Sequence, residues 1–356
     1  MGVAVVTAGT AVPERYTYDL PAILEASEPP EARGLTRDAV RMLVSYRETG
    51  TVVLSSFVFL PRFLDPGDLL VINTSGTLPA AVDATADDGT DLVIHLSTRL
   101  ERDRWVVEPR RIVGRTTERW TGSPPTPHLQ LAGTASATLE EPYGERGRLW
   151  IATLDLGMRT LSWLAAHGRP IRYGYVERPW PIEMYQNVYA TKPGSAEMPS
   201  AGRPFTSDAI TALVAKGVGV VPLVLHTGVA SLEGDELPYP ERMIVPEQTA
   251  EWVNAAHRGG HRVIAVGTTV VRALETAGRA DGGVGAYDGW TELVISPDRG
   301  VRVVDGMITG WHEPASSHLM MLEAIAGRDL LRASYEAALA QSFRWHEFGD
   351  THLILP

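Results

Sequence analysis

The spacing of apolar residues changes partway along this chain. The earlier part carries short apolar runs broken by polar pairs and turn formers. Asp65-Pro66-Gly67 signals a turn, and the run DLLVIN after it (68–73) has the density of a buried strand. From about residue 78 to 154 the chain reads as further short strands: LVIHLS (92–97), RWVVEP (104–109), RRIVGR (110–115) and LWIATLDL (149–156). Asp-Gly, Arg-Asp and the proline-rich SPPTPH (123–128) separate them, which predicts a small all-β, barrel-like domain at 77–154.

Beyond it the period lengthens and helices alternate with strands. RTLSWLAAHG (159–168) reads as a helix stopped by Gly168. FTSDAITALVAKG (205–217) offers Thr206, Ser207 and Asp208 as caps, Ile210, Leu213 and Val214 as an apolar face, and Gly217 as its end. The strand VGVVPLVLH, the helix PEQTAEWVNAAHRGG (246–260), the strand VIAVG (263–267) and a helix from Thr268 follow. LLRASYEAALAQSFRW (330–345) is the last helix. This alternation predicts an α/β (α+β) multi-domain fold, with a larger α/β domain formed by 1–76 and 155–356 and the all-β domain inserted into it.

Composition narrows the function classes. The 356 residues suffice for a large core, and 44% apolar with 21% charged residues is ordinary for a globular protein. No apolar run reaches the roughly 20 residues that cross a bilayer, so no membrane partner is expected. The opening MGVAVVTAGTAV lacks a basic flank and reads as mature chain. With no cysteine there is no disulfide, no thiolate metal site and no thiol nucleophile, and a cytoplasmic location is expected. The net charge of −11 means that any nucleic-acid partner would need a local basic patch.

The chemistry concentrates at four places. In VIAVGTTVVRALE (263–275), Gly267 frees the backbone where strand turns into helix, and Thr268 is a cap candidate. The N–H groups of the first helical turn then favour a carboxylate or another polar ligand, with Thr269 beside them. Arg272 lies about one turn on and can face the same cleft, with Glu275 placed to hold its guanidinium. The alternative is a capped helix with a surface ion pair. Neither a phosphate-binding Gly-Lys-Thr/Ser loop nor a three-glycine dinucleotide fingerprint is present. In LVLHTGVAS (223–231) a strand delivers His226 beside Gly228, where backbone can approach a ligand, although a lone histidine at a strand end is more often structural than catalytic. In ITGWHEPASSHLMMLEAIAG (308–327) a strand ends at His312, Pro314 turns the chain, and Ser316 or Ser317 caps a Met/Leu-rich helix. His312 and His318 have no acid at metal-site spacing, so no metal is expected. In RWHEFGDTHLIL (344–355), Gly349-Asp350 reads as a hairpin turn before an apolar strand.

Taken in order, these segments resemble the S-adenosylmethionine:tRNA ribosyltransferase-isomerase family of queuosine biosynthesis. The resemblance runs through YDLP (18–21), GDLLVIN (67–73), MYQNVYA (184–190), PSAGRPFT (199–206), LHTG (225–228), VIAVGTTVVRALE, DGMITGWHEPASSHLMMLEAIAG (305–327) and FGDTHLIL (348–355). It implies that S-adenosylmethionine serves as a substrate, donating its ribosyl part to the aminomethyl group of a 7-deazaguanine base in tRNA. Adenine and methionine leave, and no metal is needed. The sulfonium acidifies the neighbouring C5′–H, so the reaction asks for a base, a donor to adenine and a dry cleft. The resemblance implies that Gly267, Thr268, Thr269 and Arg272 line the cofactor cleft, Arg272 at the methionine carboxylate. Tyr185 and Gln186 of MYQNVYA and Gly202 of PSAGRPFT join them as cofactor-binding residues. His226 and His312 are its acid–base candidates, and Asp350 a positioning one.

The sequence departs from the family's pattern at polar positions. Thr74, Gly76 and Ala81 stand where an acid and two arginines are expected, and Pro204 where a histidine is. Ala230-Ser231-Leu232 replaces G-T-F, and Met243-Ile244-Val245-Pro246-Glu247 lacks the histidine of M-H-x-E. Gly310 and Glu313 replace the asparagine and leucine of N-F-H-L-P. Lost arginines weaken phosphate recognition. The leading expectation is therefore a divergent S-adenosylmethionine-dependent ribosyltransferase-isomerase-like enzyme whose acceptor is a small molecule or the cofactor itself. The alternatives are a genuine tRNA-acting member that yields epoxyqueuosine, and an inactive ligand-binding paralogue.

Overall fold

Alternate residues of the run LLVIN serve two different cores, and this single strand organises the larger domain. A computed structural model describes residues 15–114, 116–120, 122–124, 126–144, 147–229 and 237–356. The opening stretch 1–12 and the departure at Ala230-Ser231-Leu232 lie outside them. Strand Leu69–Asn73 is buried along its whole length and pairs in parallel with Gly219–Leu225 on one side and Val263–Val266 on the other. Around it runs a nine-stranded sheet in the order Tyr287–Thr291, Glu241–Val245, Gly219–Leu225, Leu69–Asn73, Val263–Val266, Gly306–Gly310, Thr351–Leu355, Arg41–Tyr46 and Val52–Ser56. Parallel central strands are apolar on both faces because both faces are covered.

The helices are α1 (Thr160–His167), α2 (Ser207–Lys216), α3 (Glu247–Arg258), α4 (Thr268–Ala277), α5 (Ser317–Ala326) and α6 (Arg328–Ala340). Leu69 and Val71 face the core built with Val253 of α3, Leu274 of α4, Leu322 of α5 and Leu331 of α6. Leu70 and Ile72 face the opposite core, with Phe57, Phe205 and Leu213 of α2. Of the three cap candidates it is Thr206 that caps α2, accepting the Ala209 N–H at 3.1 Å, and Gly217 ends it in the left-handed conformation. Two expected boundaries move: the last helix stops at Ala340, and the strand before His312 stops at Gly310. No helix among the described residues is long and apolar enough to cross a membrane.

The chain leaves the central strand, passes through Ser75–Thr77 and builds a closed six-stranded barrel. Its strands run Ala81–Ala86, Asp91–Arg99, Arg104–Val113, Leu149–Asp155, Ser136–Tyr143 and His128–Gln130, returning to the first. Closure comes from pairing Leu149–Asp155 with Arg104–Val113, which leaves those strands without open edges. Ile94, Leu96, Val107, Leu129 and Leu154 share its core, and Trp163 and Leu164 of α1 pack on it. RWVVEP and RRIVGR, expected as two strands, form one. Pro109 falls between the stretch that pairs with Leu149–Asp155 and the stretch that pairs with Thr116–Arg119, where a missing N–H is tolerated.

Two local expectations are corrected. Gly349-Asp350 is no hairpin turn: strand Thr351–Leu355 pairs with Arg41–Tyr46 and Gly306–Gly310, neither of them its chain neighbour. Glu275 does not hold Arg272. Its carboxylate points to the other side of α4, where it accepts the backbone N–H groups of Arg302 (2.9 Å), Val303 (2.8 Å) and Val304 (3.3 Å) and pairs with Arg299 at 3.1 Å. Glu275→Ala would leave these buried donors unmatched, and it is expected to lower unfolding stability by about 3 kcal/mol. Urea titration checks this, and a loss under about 1 kcal/mol would contradict the role.

Candidate active site

The parallel strands end on one side of the sheet, and there the chain makes the corner that the GTT pattern marked. Gly267, not Thr268, is the N-cap of α4, with φ 93° and ψ 160°. A side chain there would be strained by that φ and would bring its Cβ to 3.2 Å from Ala201 Cβ, so glycine is required. Val270 and Val271 donate back to the Gly267 carbonyl, and the N–H groups of the helix's first turn point out of its N-terminus. Thr269 Oγ1 is held by Asn73 Nδ2 at 3.2 Å. Asn73 also accepts the N–H groups of Ser75 and Leu225 and donates to the Leu225 carbonyl, so the central strand's last residue ties this corner together.

A cavity of about 280 Å³ opens over the corner. It lies between the α4 first turn, the loop Trp311–Ser317, the segment carrying Tyr173 and Tyr175, and barrel residues Ser97, Thr98 and Arg148. Its volume is near the lower end, about 300 Å³, of small-ligand sites. Sheet and barrel therefore both build it. The loop after His226 seals the join: Val229 N–H donates to Ser97 Oγ at 2.9 Å, and a Cβ on Gly228 would meet that same oxygen at 2.8 Å.

Arg272 lines the cavity and is nearly buried. Its guanidinium pairs with Glu241 and donates to the Leu293 carbonyl at 3.0 Å. Glu241 accepts the Gly228 N–H at 3.0 Å from its other oxygen. Burial raises the Glu241 carboxyl above its ordinary range, against the opposing pull of Arg272 and that N–H. From the barrel, Arg148 pairs with Glu108 at 3.2 Å. Burial disfavours the Glu108 charge, yet the neighbouring His95, 3.7 Å away, and the fields of Arg110 and Arg148 bring it down to about 2. The His312 and His318 rings meet at a tilt of 38°, with centres 4.5 Å apart. Burial holds His312 well below its usual range, and burial followed by the Arg272 charge pushes His318 down to about 4. Both are neutral imidazoles at neutral pH. On the opposite wall the Tyr175 hydroxyl donates to Glu347 at 2.5 Å, Tyr173 bonds Glu197, and His346 stacks flat on Tyr175 with ring centres 4.0 Å apart.

Six of the residues singled out from sequence line this cavity: Gly267, Thr268, Thr269, Arg272, His312 and Tyr185. Four sit outside its lining. His226 hydrogen-bonds Ser75 Oγ at 2.7 Å and packs over Gly194, while its neighbours Thr227 and Gly228 reach the cavity. Gln186 uses its whole amide on the backbone of Thr77. Gly202 lies where a Cβ would strike the Tyr189 hydroxyl, at 1.9 Å. Asp350 pairs with Arg41 and accepts the N–H groups of Arg41 and Arg344, fastening the start of the last strand. Local pattern could not reveal Glu241, Arg148, Glu197 or Glu347, whose importance comes from distant partners. The Tyr-Gly-Tyr at 173–175 was the one local signal for the aromatic wall. Of the departures, Glu313 lines the cavity, whereas Ala81 is buried in the barrel.

A cleft between the sheet and the barrel, with a helix N-terminus, an ion-paired arginine and neutral imidazoles, suits a small polar ligand. The chain matches the family described as queuosine biosynthesis protein over residues 13–354, and it belongs to that family. The S-adenosylmethionine:tRNA ribosyltransferase-isomerase of Moorella thermoacetica is 34% identical over 96% of this chain and 99% of its own length. The protein of that name from Thermus thermophilus is 36% identical with the same coverage. The crystal structure of an S-adenosylmethionine tRNA ribosyltransferase from Thermotoga maritima matches with a TM-score of 0.54 and 29% identity, over 96% of this chain and 99% of that one.

The buried histidines set a pH dependence. His318 at about 4 and His352 at about 3 bind fewer protons when folded than when unfolded, where each titrates near 6.5. Their contribution is present above the unfolded value and fades as pH falls. His352→Asn should therefore lose about 2 kcal/mol less stability than the unmodified chain between about pH 7 and about pH 5. Parallel urea titrations at the two pH values would show equal losses if His352 were protonated in the fold.

Proposed function

We propose that this chain is an S-adenosylmethionine:tRNA ribosyltransferase-isomerase, acting on the aminomethyl group of a 7-deazaguanine base in tRNA to give epoxyqueuosine. The observation that carries the reading is the cavity at the Gly267–Thr269 corner, within a full-length match to relatives of that name. The likeness supports a tRNA acceptor more than the small-molecule acceptor expected from the lost arginines.

In this reading the methionine end of S-adenosylmethionine lies at α4. The first-turn N–H groups and Arg272 take its carboxylate, and Glu241, paired with Arg272, presents an anion to its ammonium. A zwitterion is matched by an ion pair. His312 and His318 add no positive charge beside the sulfonium, because both stay neutral. His312, hydrogen-bonded to Thr309 Oγ1 at 2.8 Å, is the imidazole at hand for the C5′ proton. The cavity walls keep water from the opened ribosyl intermediate.

One specific observation favours a second acceptor class. Glu313 places a carboxylate on the cavity wall, which suits an amine held without a phosphate backbone. Incubation with S-adenosylmethionine and tRNA bearing the aminomethyl base should release adenine and convert the base, as read by nucleoside mass spectrometry. Adenine released with free amines but not with that tRNA would sink the tRNA reading in favour of the second. Arg272→Ala should weaken S-adenosylmethionine binding at least about thirtyfold, near 2 kcal/mol, by calorimetry. An unchanged Kd would remove Arg272 from the binding site.

A further inference from the structure

The aromatic wall opposite α4 has a construction that the binding scheme leaves unused. Tyr173, Tyr175 and His346 stand ring against ring, with centres 5.8 Å and 4.0 Å apart. Each tyrosine hydroxyl is bound by a carboxylate, Tyr173 by Glu197 and Tyr175 by Glu347. All five side chains line the cavity. A flat ring wall beside a hydrogen-bonded carboxyl suits a purine edge, and a departing adenine needs a proton.

We infer that Glu347 is the general acid for the departing nucleobase and that Tyr175 is its positioning residue. The inference rests on the proposed function and adds a residue role to it. As the C5′ proton leaves S-adenosylmethionine for His312, the C5′–H electron pair forms C4′=C5′. The ring C4′–O pair becomes the C1′=O bond, and the C1′–N9 pair departs on adenine. Glu347 delivers its proton to the purine and is left as a carboxylate, so neutral adenine is released. Three other ionisable groups of the cavity suit this step less well. Glu241 is engaged by a guanidinium, and the two neutral histidines hold no spare proton to give.

The surroundings of Glu347 support the assignment. Tyr173 and Tyr175 face it from one segment and Tyr185 from another, while Arg203 lies behind it. His346 precedes it in the chain and bonds Glu25 at 3.1 Å. Burial raises its carboxyl above the ordinary range, and the Tyr175 hydrogen bond works in the opposite direction. A general acid is active while protonated, so the rate of adenine release should fall as pH rises through this group.

Single-turnover adenine release across pH, with saturating S-adenosylmethionine and acceptor tRNA, tests this. E347Q should slow release by about a hundredfold and abolish the alkaline limb, while calorimetry finds cofactor affinity within about twofold of the parent. Y175F should move the limb to higher pH, because the bond that favours the carboxylate is gone. The inference is overturned if E347Q keeps the limb and stays within about threefold of the parent rate, or if lost cofactor binding accounts for its defect. It is equally overturned if E197Q, and not E347Q, removes the limb. A parent protein that releases no adenine would overturn the proposed function together with this inference, whereas an active parent with an indifferent E347Q overturns the inference alone.

Discussion

The site depends on how the central strand ends. At Asn73 the chain must stop being sheet, leave for the barrel, and keep a polar corner open where parallel strands terminate. A single buried amide meets all three demands. It bonds the Leu225 backbone in both directions, receives the Ser75 N–H, and anchors Thr269 at the start of α4. Two strands, a helix N-terminus and the domain crossing are thus held by one side chain of fixed geometry. The cleft outside the ends of parallel strands is where such sheets bind ligands, and here barrel residues form part of its wall.

Within that cleft, charge is arranged by burial. Arg272 enters from α4 and Arg148 from the barrel, and each arrives with its own carboxylate, Glu241 or Glu108. An unpaired cation at these positions would carry a large desolvation penalty. The histidines answer the same penalty by remaining neutral, and the tyrosines by donating to glutamates. The result is a cavity whose charged groups are mostly matched in pairs.

Periodic pattern made the architecture legible. The buried strands, the helices from Thr206, Pro246 and Thr268, the barrel-like insert and the glycine corner could all be read along the chain, because each depends on residues within a few positions of one another. Reading failed where an element's partner was remote. Pro109 looked like a break because the two neighbours that share its strand could not be seen. Gly349-Asp350 looked like a hairpin because the strand after it pairs with segments far away in sequence. Glu275 looked like the partner of Arg272 because helical spacing allowed it, although three backbone donors near residue 303 claimed it.

By itself, then, the order of amino acids determined the family, the mixed α/β and barrel character of the fold and the corner at Gly267, since motif and periodicity are properties of short segments. Only the tertiary structure decided which side chains share the cavity. It separated His226 and Asp350 from His312, joined Arg272 to Glu241, and brought Tyr175 against Glu347 across 172 positions. A side chain's chemistry follows from its burial and its neighbours in space, and closure of the barrel over the sheet sets both.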